Sequence, residues 1–181
     1  MKTVFVFLTT GFEDIEAIAT IDVLRRAGID TKTVSLENSK QVVSSHNIPV
    51  IADVLFNEAN FASAEMLVLP GGTTRFNEHG GMKKVILDFA SEGEKVAAIC
   101  ASPMVLGGLG LLEGKPATCY PGFEKYLKGA ILKTSESVIV DGNITTGRGP
   151  GFTVDFALKL VELIAGKEKS TEVAKQLLIA E

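Results

Sequence analysis

Tryptophan is absent from the 181-residue chain, and cysteine, histidine and tyrosine occur twice each. With Cys100 and Cys119 as the whole thiol complement, and neither His46 nor His79 in paired ligand spacing, the sequence argues against a structural zinc site and a disulfide framework. It has no excess of positive charge either: 18 basic against 22 acidic residues give a net charge of −4, with no basic footprint for nucleic acid. No charge-free apolar run approaches the roughly 18 residues needed to cross a bilayer. The apolar start, Val4 to Leu8, is too short for a signal peptide. It runs straight into Gly11-Phe12-Glu13-Asp14, so it is expected to be a buried first strand of a cytoplasmic protein. Repeats, low-complexity tracts and Pro/Ser-rich linkers are missing as well, so residues 1–181 are expected to form a single domain. A hydrophobic content of 46% is enough to build its core.

What is present alternates strand-like runs with helical stretches. Strands are predicted at Val4–Leu8, Thr31–Leu36, Met66–Leu69 and Lys95–Ile99, with short ones near Ala117–Cys119, Ser137–Val140 and Ile144–Thr146. Residues 41–52 have the pattern of a hairpin, kept off the centre of the sheet by Pro49. Helices are predicted at Glu13 to Ala27, with Ile15, Ile18, Ala19 and Val23 as an apolar stripe, and at Met82–Ser91, Pro103–Leu109, Thr153–Ala165 and Thr171–Ala180. Lys167–Lys169 is expected to be a charged connector. This order implies an α/β fold with a mostly parallel sheet covered by helices on both faces. Ligands of such folds sit beyond the carboxyl ends of the strands. The segments to inspect are therefore Thr9–Glu16, Pro70–Thr73, Cys100–Ser102 and Gly147–Gly151.

The run Ala98-Ile99-Cys100-Ala101-Ser102-Pro103 has the small-x-nucleophile-x-small form of a nucleophile elbow. Ser102 could cap the following helix, and Pro103 suits its first turn. A thiol there is expected to have a lowered pKa, from unpaired N–H groups and the helix dipole. Pro70-Gly71-Gly72 is a turn whose bare backbone could pair with the Ala101 N–H as an oxyanion pocket. Glu16 is ambiguous: carboxylates are common in a first helical turn, yet it shares a face with Ala19, Thr20, Val23 and Ala27 and could point inward as a general acid/base. Cys119 is expected to be a structural strand residue, or one that resolves an oxidised Cys100. His79 is expected in a solvated loop. Arg148 either holds a carboxylate or anionic substrate or pairs with a surface acid.

Taken together, Gly11-Phe12-Glu13-Asp14-Ile15-Glu16, Pro70-Gly71-Gly72, Ala97-Ala98-Ile99-Cys100-Ala101 and Gly147-Arg148-Gly149-Pro150-Gly151 resemble the ThiJ/PfpI superfamily. The likeness is greatest to the branch of the Parkinson-associated deglycase and its bacterial relatives. The resemblance implies a flavodoxin-like three-layer sandwich, a homodimer, and a Cys/Glu site without metal or organic cofactor. Cys100 matches the nucleophile, Glu16 its carboxyl partner, and Gly72 and Ala101 the oxyanion N–H donors. Arg25 and Arg26 match a basic pair near the dimer partner, and His46 a hairpin position from which some relatives contribute a cation. Peptidase members carry a His after the Cys, where this chain has Ala101. Other relatives place a site His where this chain has Tyr120.

The expected function is glutathione-independent glyoxalase or deglycase chemistry on dicarbonyls such as methylglyoxal, or on glycated thiols and amines. The alternative is a redox sensor or chaperone working through oxidation of Cys100. A peptidase role is weaker, because the imidazole base is missing, and so is a thiazole-pathway role, which only the naming of the superfamily implies.

Overall fold

Strand β1 (Thr3–Leu8) is buried at all six positions, as a strand covered on both faces must be. The computed structural model, which describes residues 2–179, continues through α1 (Asp14–Arg26), β2 (Thr31–Ser35), the antiparallel hairpin of β3 (Gln41–Val43) and β4 (Pro49–Ile51), and β5 (Val54–Leu55). Then come β6 (Ala64–Leu69), α2 (Gly80–Ser91), β7 (Lys95–Ile99) and α3 (Pro103–Gly108). The short β8 (Pro116–Ala117) and β9 (Ile131–Leu132) precede β10 (Val138–Asp141), β11 (Ile144–Gly147), α4 (Thr153–Ala165) and α5 (Lys167–Gln176).

Seven strands form the main sheet in the order β10-β11-β7-β6-β1-β2-β5. All neighbours are parallel except β10 and β11. Side chains alternate across it, as strand geometry requires. Val4, Val6, Met66, Val68, Ala97 and Ile99 face α1, α4 and α5. Phe5, Phe7, Leu67, Leu69, Val96 and Ala98 face α2 and α3. The result is the flavodoxin-like three-layer sandwich, with the carboxyl ends of β1, β6, β7 and β11 on one rim. No helix among the described residues is long and apolar enough to cross a membrane.

Several expectations need correction. Ile15 and Ile18 do not form the buried stripe of α1; they are 55% and 46% exposed, while Glu16, Ala17, Thr20, Ile21, Val23 and Leu24 turn inward. The segment at Ala117–Cys119 is not part of the main sheet: among the described residues β8 pairs with β9 alone, and Cys119 follows the strand. Lys167–Lys169 is the first turn of α5, not a connector. Gly166, at φ +90°, alone separates α5 from α4, the left-handed conformation that lets a glycine end one helix and start another. α5 ends at Gln176, and the predicted terminus at Ala180 lies outside the described residues.

Candidate active site

Cys100 follows β7 with φ +65°, one of three non-glycine residues at positive φ among those described. Such a conformation costs about 1–3 kcal/mol and persists only where the surroundings impose it. Here its N–H donates to the Gly147 carbonyl at 2.9 Å, and its carbonyl accepts from the Tyr120 N–H at 2.8 Å. The positive φ also breaks the strand alternation. Cys100 packs with the Ile99 side of the sheet, against α1 and α4, instead of crossing to the face of Ala98.

Ser102 occupies the cap position of α3 but makes no capping bond. It is fully buried, and its hydroxyl donates to the Pro70 carbonyl at 2.5 Å, tying the elbow to the turn after β6. That turn must come close. A Cβ at Gly71 would lie 2.7 Å from both Cys100 Cβ and Glu16 Oε2, and one at Gly72 only 2.3 Å from the Glu13 nitrogen. Gly72 is also at φ +94°, which favours glycine independently of space.

Glu16 is brought into this junction from α1. It is wholly buried. The Glu13 carboxylate accepts the Glu16 N–H at 2.7 Å as the helix cap, and the Glu13 N–H donates to the Gly71 carbonyl at 2.9 Å. Glu16 Oε2 accepts the Gly71 N–H at 2.7 Å, while Oε1 has no hydrogen-bond partner. Burial pushes the Glu16 pKa up from 4.5 to about 7, against the Cys100 thiol and Gly71 N–H, which favour the carboxylate; the charge of Glu13 adds to the rise. Gly71 was missed as the residue that orients Glu16. The Gly-Gly pair was the available signal, but it does not say which N–H goes where.

The expected low-pKa thiol is not found. Burial raises the Cys100 pKa, and the charge and hydrogen bond of Glu16 raise it further; the Ala101 and Gly72 N–H groups oppose them. Cys100 is only 7% exposed. The six residues of α3 make too short a helix to offset desolvation. The centre is thus a thiol beside a carboxyl that titrates near neutrality, with two backbone donors turned to the sulfur.

The remaining candidates divide. The His46 ring Nδ1 lies 2.6 Å from Asp14 Oδ2, which clasps the β3–β4 hairpin to the start of α1. Ser44 and Ser45 also donate to Asp14, and the Asp14 hydrogen bond raises the His46 pKa. Burial works against it, yet Ser44, His46 and Ser45 together hold Asp14 at about 2. Glu13, Asp14 and His46 could offer three metal donors within 4.8 Å, but hydrogen bonds to Glu16, the serines and one another account for the cluster without an ion.

His79 is not a free loop residue: its Nδ1 accepts the Met82 N–H at 2.9 Å as the N-cap of α2. Arg25 and Arg26 are not brought to Cys100. They lie about 14 Å beyond Glu16 along α1 and pair with Asp53 and Asp22. A surface concavity of about 730 Å³ lies at that end, between Arg25, Thr31 and Asp53. Cys119 is buried on the α2–α3 face of the sheet, opposite to Cys100, which argues against a resolving role. Tyr120 and Arg148 line a cleft of about 370 Å³ beside the elbow.

Comparison with known proteins follows the same pattern. A model described as the DJ-1/PfpI family matches residues 2–163. Protein DJ-1 homolog B of Arabidopsis thaliana is 38% identical over 182 residues, covering 98% of this chain but 42% of that protein. The chain therefore spans less than half the length of that relative. Protein dj-1beta of Drosophila melanogaster is 38% identical over 183 residues, 99% of this chain and 98% of that protein. The crystal structure of Drosophila DJ-1beta superposes with a TM-score of 0.94 at 37% identity, covering 99% of each chain. Glutathione-independent glyoxalase DJR-1.2 of Caenorhabditis elegans is 27% identical over 170 residues, 93% of this chain and 91% of that protein.

Proposed function

The chain belongs to the DJ-1/PfpI family, and from that premise we propose that it converts small dicarbonyls such as methylglyoxal to hydroxy acids without glutathione, using Cys100 as nucleophile and Glu16 as general acid/base. The observation that carries this reading is the buried Glu16 carboxyl set beside the buried Cys100 thiol, with Gly72 and Ala101 N–H groups turned to the sulfur. The named activity of the Caenorhabditis elegans relative, a glutathione-independent glyoxalase, supports it.

The raised thiol pKa sets the order of events. Ionised Glu16 takes the Cys100 proton as sulfur adds to the aldehyde carbon, so no standing thiolate is required. The carbonyl oxygen becomes an oxyanion near the Gly72 and Ala101 N–H groups and is then protonated, giving a hemithioacetal. Glu16 removes the hydrogen of that carbon as a proton and returns a proton to the neighbouring carbonyl carbon, while the hydroxyl proton passes to the neighbouring oxygen. The hemithioacetal thereby isomerises to a thioester with no external oxidant. Water cleaves the thioester, releasing lactate from methylglyoxal and restoring the thiol. Glycated thiols and amines are substrates of the same addition chemistry. Peptidase chemistry is disfavoured: His46 is engaged with Asp14 and His79 caps α2, leaving no imidazole at the sulfur.

A second reading rests on the same Glu16 carboxyl, which when protonated can donate to an oxidised Cys100 and stabilise a sulfinate. We further propose that the protein works as a homodimer.

The test is methylglyoxal turnover by the reduced protein in the absence of glutathione. Cys100→Ser should fall to background and Glu16→Gln by at least about a hundredfold. A wild-type protein without turnover would falsify the enzymatic reading. Peroxide titration followed by mass spectrometry decides the second, which fails if Cys100 is no more reactive than Cys119.

A further inference from the structure

The cleft beside the elbow contains a cation for which a neutral oxoaldehyde has no use. Its walls include Tyr120, Pro121, Gly149 and Phe152, with Arg148 between them. Arg25 and Arg26 both have carboxylate partners. Arg148, by contrast, makes no ion pair or side-chain hydrogen bond among the described residues. Its guanidinium instead lies 5.9 Å from the centroid of the Phe152 ring. Stacking on an aromatic face holds a guanidinium in place while leaving its edge free to donate.

The cleft is fixed to the nucleophile by backbone. Gly147, whose carbonyl accepts the Cys100 N–H, directly precedes Arg148, and the Tyr120 N–H donates to the Cys100 carbonyl. The Tyr120 ring packs on Gly149, where an added Cβ would come within 3.1 Å of it. Both walls therefore move with the elbow.

A half-buried, unpaired guanidinium in a cleft with apolar walls calls for a planar anion. A carboxylate matches its fork with two parallel hydrogen bonds. A phosphate dianion fits less well, because the cleft offers one cation and the chain carries a net charge of −4.

We propose that the Tyr120–Arg148–Phe152 cleft is a carboxylate subsite, and that the preferred substrates are oxoaldehydes, or their thiol and amine adducts, whose chain ends in a carboxylate. Arg148 holds that end while the aldehyde reaches Cys100. The proposal rests on the reading of Cys100 as an aldehyde-adding nucleophile.

Two measurements separate the fate of the two readings. The first compares methylglyoxal with dioxovalerate, an oxoaldehyde ending in a carboxylate, in the wild type, Arg148→Gln and Arg148→Lys. The wild type should favour dioxovalerate. Arg148→Gln should lower the dioxovalerate-to-methylglyoxal ratio of kcat/KM by about tenfold or more, the loss of one charge-assisted contact. Arg148→Lys should recover part of the ratio, because it restores the charge without the fork. A ratio that does not move in Arg148→Gln, whether both activities fall equally or neither falls, overturns the subsite.

The second measurement is calorimetric binding of hydroxyglutarate, the product expected from dioxovalerate, to Cys100→Ser. It needs no turnover. Binding that disappears in the Cys100→Ser/Arg148→Gln double variant supports the subsite even if the wild type converts neither oxoaldehyde, a result that would remove the enzymatic reading alone. Absence of binding in Cys100→Ser overturns the subsite even if methylglyoxal is turned over.

Discussion

At neutral pH the Glu16 carboxyl sits near the middle of its own titration, because burial has moved its pKa from 4.5 to about 7. The folded value lies above the unfolded one. Between the two, the native state keeps a proton that the unfolded chain releases, so stability is fully present below about pH 4.5 and declines as pH rises through about 7. A shift of this size corresponds to at most roughly 3.5 kcal/mol. Glu16→Gln, which removes the titration, should melt above the wild type at pH 8 and converge with it near pH 4.5. A difference independent of pH would show that Glu16 is not held in this state. Under the proposed mechanism the same titration governs turnover. Wild-type kcat/KM for methylglyoxal should rise with pH through about 7 as the base forms, and the residual activity of Glu16→Gln should lack that step.

Between elements, the junction of α1, the β3–β4 hairpin and the turn after β6 decides whether the site exists. Gly72 permits the closest approach: its missing Cβ would meet the Glu13 nitrogen at 2.3 Å and the Gly11 carbonyl oxygen at 2.6 Å. Since both are backbone atoms, no side chain can swing aside. Gly72→Ala should cost more than about 2 kcal/mol in urea unfolding, from the clash and the positive φ together. The hairpin is held by the Asp14–His46 clasp and by two amides, Gly11 N–H to the Val43 carbonyl and Ser45 N–H to the Phe12 carbonyl. The folded pKa of His46 is raised above 6.5, so the clasp is complete below that pH and weakens as pH climbs through the folded value. Asp14 contributes above about 3.8 and loses its contribution as pH falls toward about 2. Hydrogen exchange at Gly11 and Ser45, corrected for intrinsic rates, should quicken in His46→Ala, and in the wild type at alkaline pH. Unchanged protection in the variant would mean that the two backbone bonds suffice.

For the whole molecule, the unburied face of α1 matters most. Ile15, Ile18, Ile48 and Ile51 are all exposed, and Ile18 and Ile51 border one shallow concavity together with Ile21 and Val50. Neighbouring exposed isoleucines of this kind mark an interaction surface more often than a free one. If two copies meet there, the wild type should sediment as a dimer and Ile18→Asp as a monomer with its fold intact by circular dichroism. A monomeric wild type at high concentration would remove the dimer proposal. The same surface is why the apolar pattern of α1 does not give its buried face. One of its apolar faces is buried and the other exposed, and a hydrophobic pattern alone cannot distinguish the two.

The two-residue β5 and β9 are too short to carry a pattern, but the sequence by itself determined the order of the longer strands and helices and the position of the elbow. Those depend on local signals: continuous apolar strands, glycine at close turns, and small residues around Cys100. Four distinctive segments after four strands were also legible, because in a parallel sheet strand ends share a rim. Only the tertiary structure decided that Glu16 faces the thiol and Ile15 does not, since that depends on which side of α1 meets the sheet. It alone set the direction of the Cys100 pKa, because desolvation and a facing carboxyl outweigh a six-residue helix. It also sent His46, His79, Arg25 and Arg26 to partners of their own and left Arg148 without one among the described residues. Pairing between distant charges follows from chain packing, and no local pattern encodes it.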